Sequence, residues 1–408
     1  MNTSIFRIRY LMFLILGAVG LPSYSWAATI NTTNCSQSVV QAAINSSSNG
    51  DTVTVPAGIC SWSSNVNIGY KAITLQGAGV GQTNITNTLN SNQNSILNFN
   101  QHATISTRIT GFSFLGMGYN HRAINCQGSL TSAPMRIDHN SFYTKTGDGN
   151  GGTVEVDIFS CRGLLDHNAF TAPSNAEMIH NRAGGTSDWN KTVVPGSSNA
   201  LYIEDNTFSS IVNSSANSAL QNYDGSVVVA RYNTLYSTQI DIHGCCSPIG
   251  GRWSEIYNNN FINNLPGIDK NISFRAGSGV VFNNTASGPV VDSGINFQCD
   301  ASPGFVGLGY GYAKWSPVYV WGNGTIPVTY TKYERTVYDC KEGTNWITFP
   351  TQPSSMKIWQ KSTDNANTTY SYTPFTYPYP LDANGMPNPS STPPSTAIQA
   401  PTSLQIIQ

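Results

Sequence analysis

Six short segments of the chain share one pattern: IDHNSF (137–142), LDHNAF (165–170), IEDNTF (203–208), ARYNTL (230–235), IYNNNF (256–261) and VFNNTA (281–286). Aligned on Asn140, Asn168, Asn206, Asn233, Asn259 and Asn284, they stand 28, 38, 27, 26 and 25 residues apart. An apolar residue sits three positions before each asparagine (Ile137, Leu165, Ile203, Ala230, Ile256, Val281). Phe142, Phe170, Phe208, Leu235, Phe261 or Ala286 sits two after it. Repeats of this length restrict a chain to a stack of similar units, each burying its apolar side against the next. Helical repeats would show a period of about 3.6, which is absent here. Three short strands and three turns use roughly 20 or more residues per coil, and successive coils pair as parallel strands about 4.8 Å apart. The expectation is an all-β solenoid whose apolar residues stack inside. Asparagine suits the left-handed backbone of its sharp turns, and stacked amides can hydrogen-bond along the axis. TRITGFSFLG (107–116) reads as an earlier coil with Phe112 in the asparagine position, and the long step implies a loop inserted at 183–199.

Open ends of such a stack expose unpaired strand edges and need covers. At the front, residues 36–58 read as a capped amphipathic helix followed by a strand, with Ser36 as the cap. At the rear, YVWGN (319–323) closes the last recognisable coil. The expected organisation is a leader at 1–27, the solenoid with its front cap at 28–330, a capping region at 331–380 and a flexible Pro/Ser-rich tail at 381–408. The leader has basic Arg7 and Arg9, an apolar run of 11 residues and small residues Ser25 and Ala27 at a cleavage site, the form of a secretory signal. No segment is long and apolar enough to cross a membrane as a helix. A net charge of −1 gives no basic surface for nucleic acid. The eight cysteines, Cys35, Cys60, Cys126, Cys161, Cys245, Cys246, Cys299 and Cys340, suit disulfides in an oxidising compartment. Nearness favours Cys35–Cys60 and Cys299–Cys340. No C-x-x-C is present, so no metal site is assigned, and the chain is expected to be a monomer.

Charged residues make up only 10% of the chain, yet QIDIHGCCSPIGGRWSEIYNNNF (239–261) crowds them together. Before each asparagine segment lies a second strand: 176–181, 220–225, 239–244, 271–277 and 293–298. On successive coils their polar members form a column of Glu177 and His180, Tyr223 and Asp224, Asp241 and His243, then Arg275. Asp241 and His243, two apart on a strand, face one side. Such a column suits β-elimination on a uronic acid polymer. Arg275 or Arg252 would neutralise the carboxylate by bidentate pairing. His243 is the natural base or acid, Tyr223 supplies the other proton transfer, and Asp241 orients His243. Arg252, His180, Glu177, Asp224 and Trp253 are candidate substrate contacts. The plain alternative is a polar surface that binds sugars passively. Glu255 is read either as one half of an ion pair that stiffens a loop or as a substrate contact. Trp253, Tyr310, Tyr312, Trp315 and Trp321 offer flat faces to sugar rings or else cap the coil end.

The front GDTVTVPAGICSW and ITLQGAGVGQTNI, the asparagine coils and the late YTPFTYPYPL resemble secreted right-handed parallel β-helix proteins of the pectate-lyase-like superfamily. HG…RW.EIYNN.F, FRAGSGVVFNN and VYVWGN are similar to a largely uncharacterised bacterial group within it. The likeness spans roughly residues 35–380 and implies a right-handed coil and an extracellular polysaccharide as partner. The superfamily consists mostly of lyases, glycoside hydrolases, epimerases and phage tailspikes. It also brings in calcium, which pectate lyases hold on clustered aspartates, so the cofactor is left open with calcium as the one the resemblance implies. The chain departs from the closer families. It lacks the pectate-lyase arginine motif and the paired aspartates and Gly-His-Gly of polygalacturonases. Asp138-His139 and Asp166-His167 resemble a pectate-lyase coil segment but fall away from the column and are read as structural. The expectation is therefore a secreted polysaccharide lyase. The alternatives are a glycoside hydrolase using Asp224 and Asp241, or a glycan-binding adhesin without catalysis.

Overall fold

The computed structural model describes residues 27–89, 95–118, 121–144, 153–173, 176–189, 191–212, 217–243, 250–265, 270–288, 294–299, 318–332, 346–360 and 365–390. Three long sheets of 12, 9 and 10 strands run the length of the molecule, and every pairing within them is parallel. In chain order, each coil gives one strand to the first sheet (12 strands), one to the second (9) and one to the third (10). Met135–Asp138, Ser141–Thr144 and Thr153–Phe159 make one such coil. The chain is thus a right-handed parallel β-helix.

The repeated residues fill the places their pattern implied. Phe114, Phe142, Phe170 and Phe208 stack through the interior at centroid separations of 5.4, 4.6 and 4.9 Å, each almost wholly buried. The asparagines form a continuous ladder inside the turn between the first and second sheets. The backbone N–H of Asn140 donates to Asn168 Oδ1 (3.0 Å), Asn168 to Asn206 (2.9 Å), Asn206 to Asn233 (3.0 Å), Asn233 to Asn259 (3.1 Å), Asn259 to Asn284 (3.1 Å) and Asn284 to Asn323 (3.0 Å). Each amide also donates to backbone carbonyls, as Asn168 Nδ2 does to Ile137 O at 2.8 Å. One detail differs from expectation. The left-handed residue is the one before each ladder asparagine: His139 (φ 52°), His167 (54°), Asp205 (58°), Tyr232 (56°), Asn258 (55°) and Asn283 (54°). The asparagine itself is needed for its side-chain amide, which satisfies the backbone groups that the turn leaves open.

At the front, the helix Gln37–Ser46 buries Val40 and Ile44 against the core. Ser36 stands at its N-cap, but its side chain makes no capping bond. The disulfide Cys35–Cys60 ties this cap to the first coils. A second disulfide, Cys126–Cys161, joins neighbouring coils and was not foreseen. Cys245, Cys246 and Cys340 lie outside the described residues, as do Tyr310, Tyr312, Trp315 and the leader through residue 26. The insertion implied by the long step is present between Ala176–Arg182 and Leu201–Glu204, with a short helix at Thr186–Trp189.

The C-terminal segment does more than close the rear. Trp346–Phe349 extends the first sheet beside Val318–Trp321, and Met356–Gln360 pairs antiparallel with Asn365–Tyr370. The chain then runs back over the outside of the first sheet. The Tyr372 hydroxyl donates to Glu255 Oε2 (3.0 Å), and Arg231 donates to the carbonyls of Phe375 (2.7 Å) and Thr376 (2.8 Å). The Tyr379 N–H donates to Glu204 Oε1 (2.8 Å), and Arg136 donates to the Gly385 carbonyl (2.7 Å). Residues 381–388, expected to begin a flexible tail, are held by such contacts and by a bridge between Leu381 and Pro387. This strap covers a second apolar cluster that includes Tyr202, Trp253, Tyr257, Phe282, Trp321, Tyr372 and Tyr379. Beneath it, Arg231 and Glu204 are 0% and 2% exposed, with Arg231 Nε donating to Glu204 Oε2 at 2.6 Å.

Removing one partner of a buried ion pair leaves the other charge uncompensated. Glu204→Ala is therefore expected to lower unfolding free energy by about 3–5 kcal/mol in urea denaturation. A loss below about 1 kcal/mol, the range of exposed pairs, would contradict the burial of this pair beneath the strap.

Candidate functional site

The third sheet carries a row of polar residues in lateral register: Asp157 beside His180, His180 beside Gln221, Gln221 beside Asp241, and Asp241 beside Ser273. Ile179, Leu220, Ile240, Ile242, Ile272 and Phe274 alternate with them and fill the core. The polar row therefore lies on the outer face. Where these strands end, the ladder continues. Tyr223 N–H donates to Asn181 O (3.0 Å), His243 N–H to Asn222 O (3.0 Å) and Arg275 N–H to Ile242 O (2.9 Å). Arg182, Tyr223, His243 and Arg275 thus follow one another on four successive rungs. A short inner amide ladder holds this end in place, with Asn181 Nδ2 donating to Asn222 Oδ1 at 2.8 Å and Asn222 Nδ2 to Ser254 Oγ at 3.1 Å. Gly277 (φ 92°) follows Arg275, and a Cβ there would lie 1.9 Å from the Gly251 carbonyl oxygen, so the rungs close up only with glycine.

Around Tyr223 stand two imidazoles, each paired with a carboxylate. His243 Nδ1 is 3.0 Å from Asp241 Oδ2, and Arg275 Nη1 lies 3.1 Å from the same oxygen and 2.9 Å from His243 Nδ1. On the other side His180 Nε2 pairs with Glu177 Oε2, and the Tyr223 hydroxyl is 3.2 Å from His180 Nδ1. The Tyr223 ring is 5.4 Å from that of His180 and 5.9 Å from that of His243. Burial alone would raise the Asp241 pKa. The hydrogen bond from His243 and the charge of Arg275 outweigh it and hold the carboxyl below its usual value. Glu177 is lowered in the same way, with burial offset by His180. Burial raises the Tyr223 phenol well above its ordinary range. The result is two ionised carboxylates, each bound to an imidazole, with a protonated phenol between them.

The structure brings together Glu177, His180, Tyr223, Asp241, His243 and Arg275. Asp224 occupies the turn directly after Tyr223, at φ 56°, and its carbonyl accepts the Gly185 N–H at 2.9 Å. Arg252 and Trp253 are placed elsewhere. Arg252 is 4% exposed and donates from Nη1 to the Asp188 carbonyl at 2.8 Å, and burial lowers its pKa to about 10. Trp253 is 2% exposed on the first sheet, with its Nε1–H donating to Glu255 Oε1 at 3.0 Å. Neither offers a surface to a sugar, because the inserted loop and the strap pack over them. Glu255 is likewise structural, bonded to Gly196 N, Trp253 and Tyr372. Trp321 stacks on Phe282 at 4.5 Å in the same covered cluster. Asp138 and Asp166 accept bidentate bonds from Arg108 and Arg136 and orient the stacked rings of His139 and His167, away from the third sheet.

Sequence reasoning missed the strand Thr153–Phe159. Its Asp157, 1% exposed, pairs with Arg182 and Arg122. The alternation of Val156 and Ile158 with charged residues in TVEVDIF is the signal that would have placed it on the column. Among the described residues no group of three or more His, Cys, Asp or Glu is placed to hold a metal. Calcium does not fit the column. It takes about 6–8 oxygen ligands, whereas one oxygen of Asp241 is already bound by His243 and Arg275, leaving Oδ1 and the neighbouring Ser273 Oγ as buried acceptors without a partner among the described residues.

No protein-family description and no curated protein matches the chain. Among solved structures, the chain is similar to an alginate lyase from Paenibacillus sp. str. FPU-7, with 13% identity, 74% of this chain and 98% of that one covered, and a TM-score of 0.41. It is also similar to the catalytic domain of a GH87 alpha-1,3-glucanase in complex with nigerose, with 12% identity, 80% and 68% covered, and a TM-score of 0.32. At these values neither likeness transfers a residue or an activity to this chain.

The lowered Asp241 pKa implies a linkage. A carboxyl depressed in the folded state adds stability that is fully present above its unfolded value and is lost as pH falls through the folded one. The difference in unfolding free energy between the native chain and Asp241→Asn should therefore hold from neutrality down to about pH 4 and shrink below pH 3.8. A pH-independent difference in urea titrations would show that the Asp241–His243–Arg275 contacts do not stabilise the ionised form.

Proposed function

We propose that this chain is a secreted polysaccharide lyase that cleaves a uronic-acid polymer by β-elimination on the outer face of its third sheet. The observation that carries the reading is the placement of Tyr223 between two carboxylate-bound imidazoles with Arg275 on the next rung. The reaction breaks the C5–H bond and the C4–O bond of a uronate, forms a C4=C5 double bond and returns a proton to the leaving O4. Arg275 pairs with the substrate carboxylate and stabilises the charge that develops as the proton leaves. His243, held between Asp241 and Arg275, acts as the base. Tyr223 is protonated at neutral pH and donates to the leaving oxygen. His180, anchored by Glu177, resupplies that proton through Nδ1.

The electrostatics disfavour a hydrolase built on Asp241 and Glu177. A glycoside hydrolase needs one carboxyl kept protonated beside an ionised one. Asp241 and Glu177 are both held below the usual carboxylate range by their imidazole partners, so neither stands ready as the acid. The resemblance of the coil motifs to pectate-lyase-like proteins, which include both lyases and glycoside hydrolases, supports a polysaccharide substrate. The two disulfides suit export to an oxidising compartment.

Incubation with a panel of acidic polysaccharides should yield the ultraviolet band of unsaturated uronate ends. His243→Ala and Tyr223→Phe should each lower kcat by about 100- to 10,000-fold with the fold retained by circular dichroism. New reducing ends without that band would identify a hydrolase instead. Binding without either product would identify a glycan-binding protein.

A further inference from the structure

We infer that Arg122, seated on Asp157 beside Arg182, forms a separate subsite for a sugar carboxylate on the front side of the catalytic cluster. This deepens the lyase reading and rests on it only for the direction in which the polymer lies. Arg182 alone satisfies the buried carboxylate of Asp157, donating from Nε to Oδ1 at 3.0 Å and from Nη2 to Oδ2 at 2.8 Å. Arg122 makes a second ion pair to the same group, Nε to Oδ2 at 2.6 Å. Asp157 is thus shared by two guanidiniums; Asp224 also acts on Arg182, and among the described residues no second carboxylate pairs with Arg122. The other acid on the strand, Glu155, does not supply one. It is wholly buried, its carboxyl oxygens have no partner among the described residues, and burial holds it well above the usual carboxylate range.

The geometry of Arg122 fits a ligand. Its Nε lies 2.6 Å from Asp157 Oδ2 as an ion pair without hydrogen-bond alignment, and among the described residues its two terminal amines make no hydrogen bond either. Those two amines are the fork that takes a carboxylate bidentately. The side chain is 25% exposed and that of Arg182 34% exposed. An arginine placed only to hold Asp157 would have no need of a second copy left open to solvent.

Position agrees with this role. Arg122 opens the strand Arg122–Gln127, which is followed along the third sheet by the strands of Asp157, His180, Tyr223 and Asp241. It stands four rungs ahead of His243, about 19 Å along the axis. Behind the cluster the same row continues as Ser273, Asn296 and Thr329, without charge. Arginines thus stand in front of the cut and uncharged side chains behind it. A polymer lying along the sheet would have one carboxylate read at Arg275 and another at Arg122.

The test measures binding rather than turnover, in a His243→Ala background, by isothermal titration with a short oligouronate and with one long enough to span the five rungs from Arg275 to Arg122, about 24 Å. Arg122→Gln should weaken the long oligomer about tenfold, the effect of one charge-assisted hydrogen bond, and leave the short one unchanged. Its unfolding midpoint should stay put, because Arg182 still holds Asp157. Equal losses for both lengths, or no loss for the long oligomer, would overturn the subsite. If the long oligomer shows this length dependence but the native chain does not cleave it, the lyase reading fails and the subsite stands.

Discussion

The parallel register between coils determines the position of every functional side chain in this molecule. The asparagine ladder is its most exacting element. Each amide accepts one backbone N–H from the preceding coil and donates to carbonyls, so a slip of one residue would leave buried polar groups without partners. With the register locked at the turn, residues separated by tens of positions become neighbours about 4.8 Å apart. Glu177 and Arg275 belong to one cluster for this reason, although they stand 98 positions apart in the chain.

The same residue types take opposite roles on two faces of the coil. On the first sheet Arg231, Glu204 and Glu255 are sealed beneath Tyr372, Phe375 and Tyr379, with their hydrogen bonds complete within the protein. There they hold the strap to the sheet. On the third sheet His180, His243 and Arg275 keep 12%, 16% and 18% of their side chains exposed; Asp241 lies deeper than the two groups it holds, whereas Glu177 is 23% exposed beside His180. Imidazoles and a guanidinium fixed by ion pairs form a surface whose charges are oriented before any ligand arrives, and preorganised charge is what an enzyme site requires.

The recurring asparagines and phenylalanines made the coil legible, because a repeat pattern reports stacking directly. The column from Glu177 to Arg275 was legible for the same reason, since once the coils are aligned, polar residues at equal offsets must line up. Arg252 and Trp253 were misplaced because pointing away from the core is not the same as being exposed. Trp253 shares its apolar cluster and its Glu255 partner with Tyr372, more than 100 residues later, and no local pattern announces that meeting. Asp157 was missed because its strand precedes the first one recognised on the column. The Cys126–Cys161 bond was missed because nearness along the chain is a poor guide to nearness across coils.

The most direct measurement is a crystal structure of His243→Ala with a bound oligouronate. The account expects the sugar chain to lie lengthwise on the third sheet, with one carboxylate within about 3.2 Å of Arg275 and a glycosidic oxygen within the same reach of the Tyr223 hydroxyl. Sugar density on the first sheet, or on the third sheet but away from Tyr223, would contradict the placement of chemistry on this face.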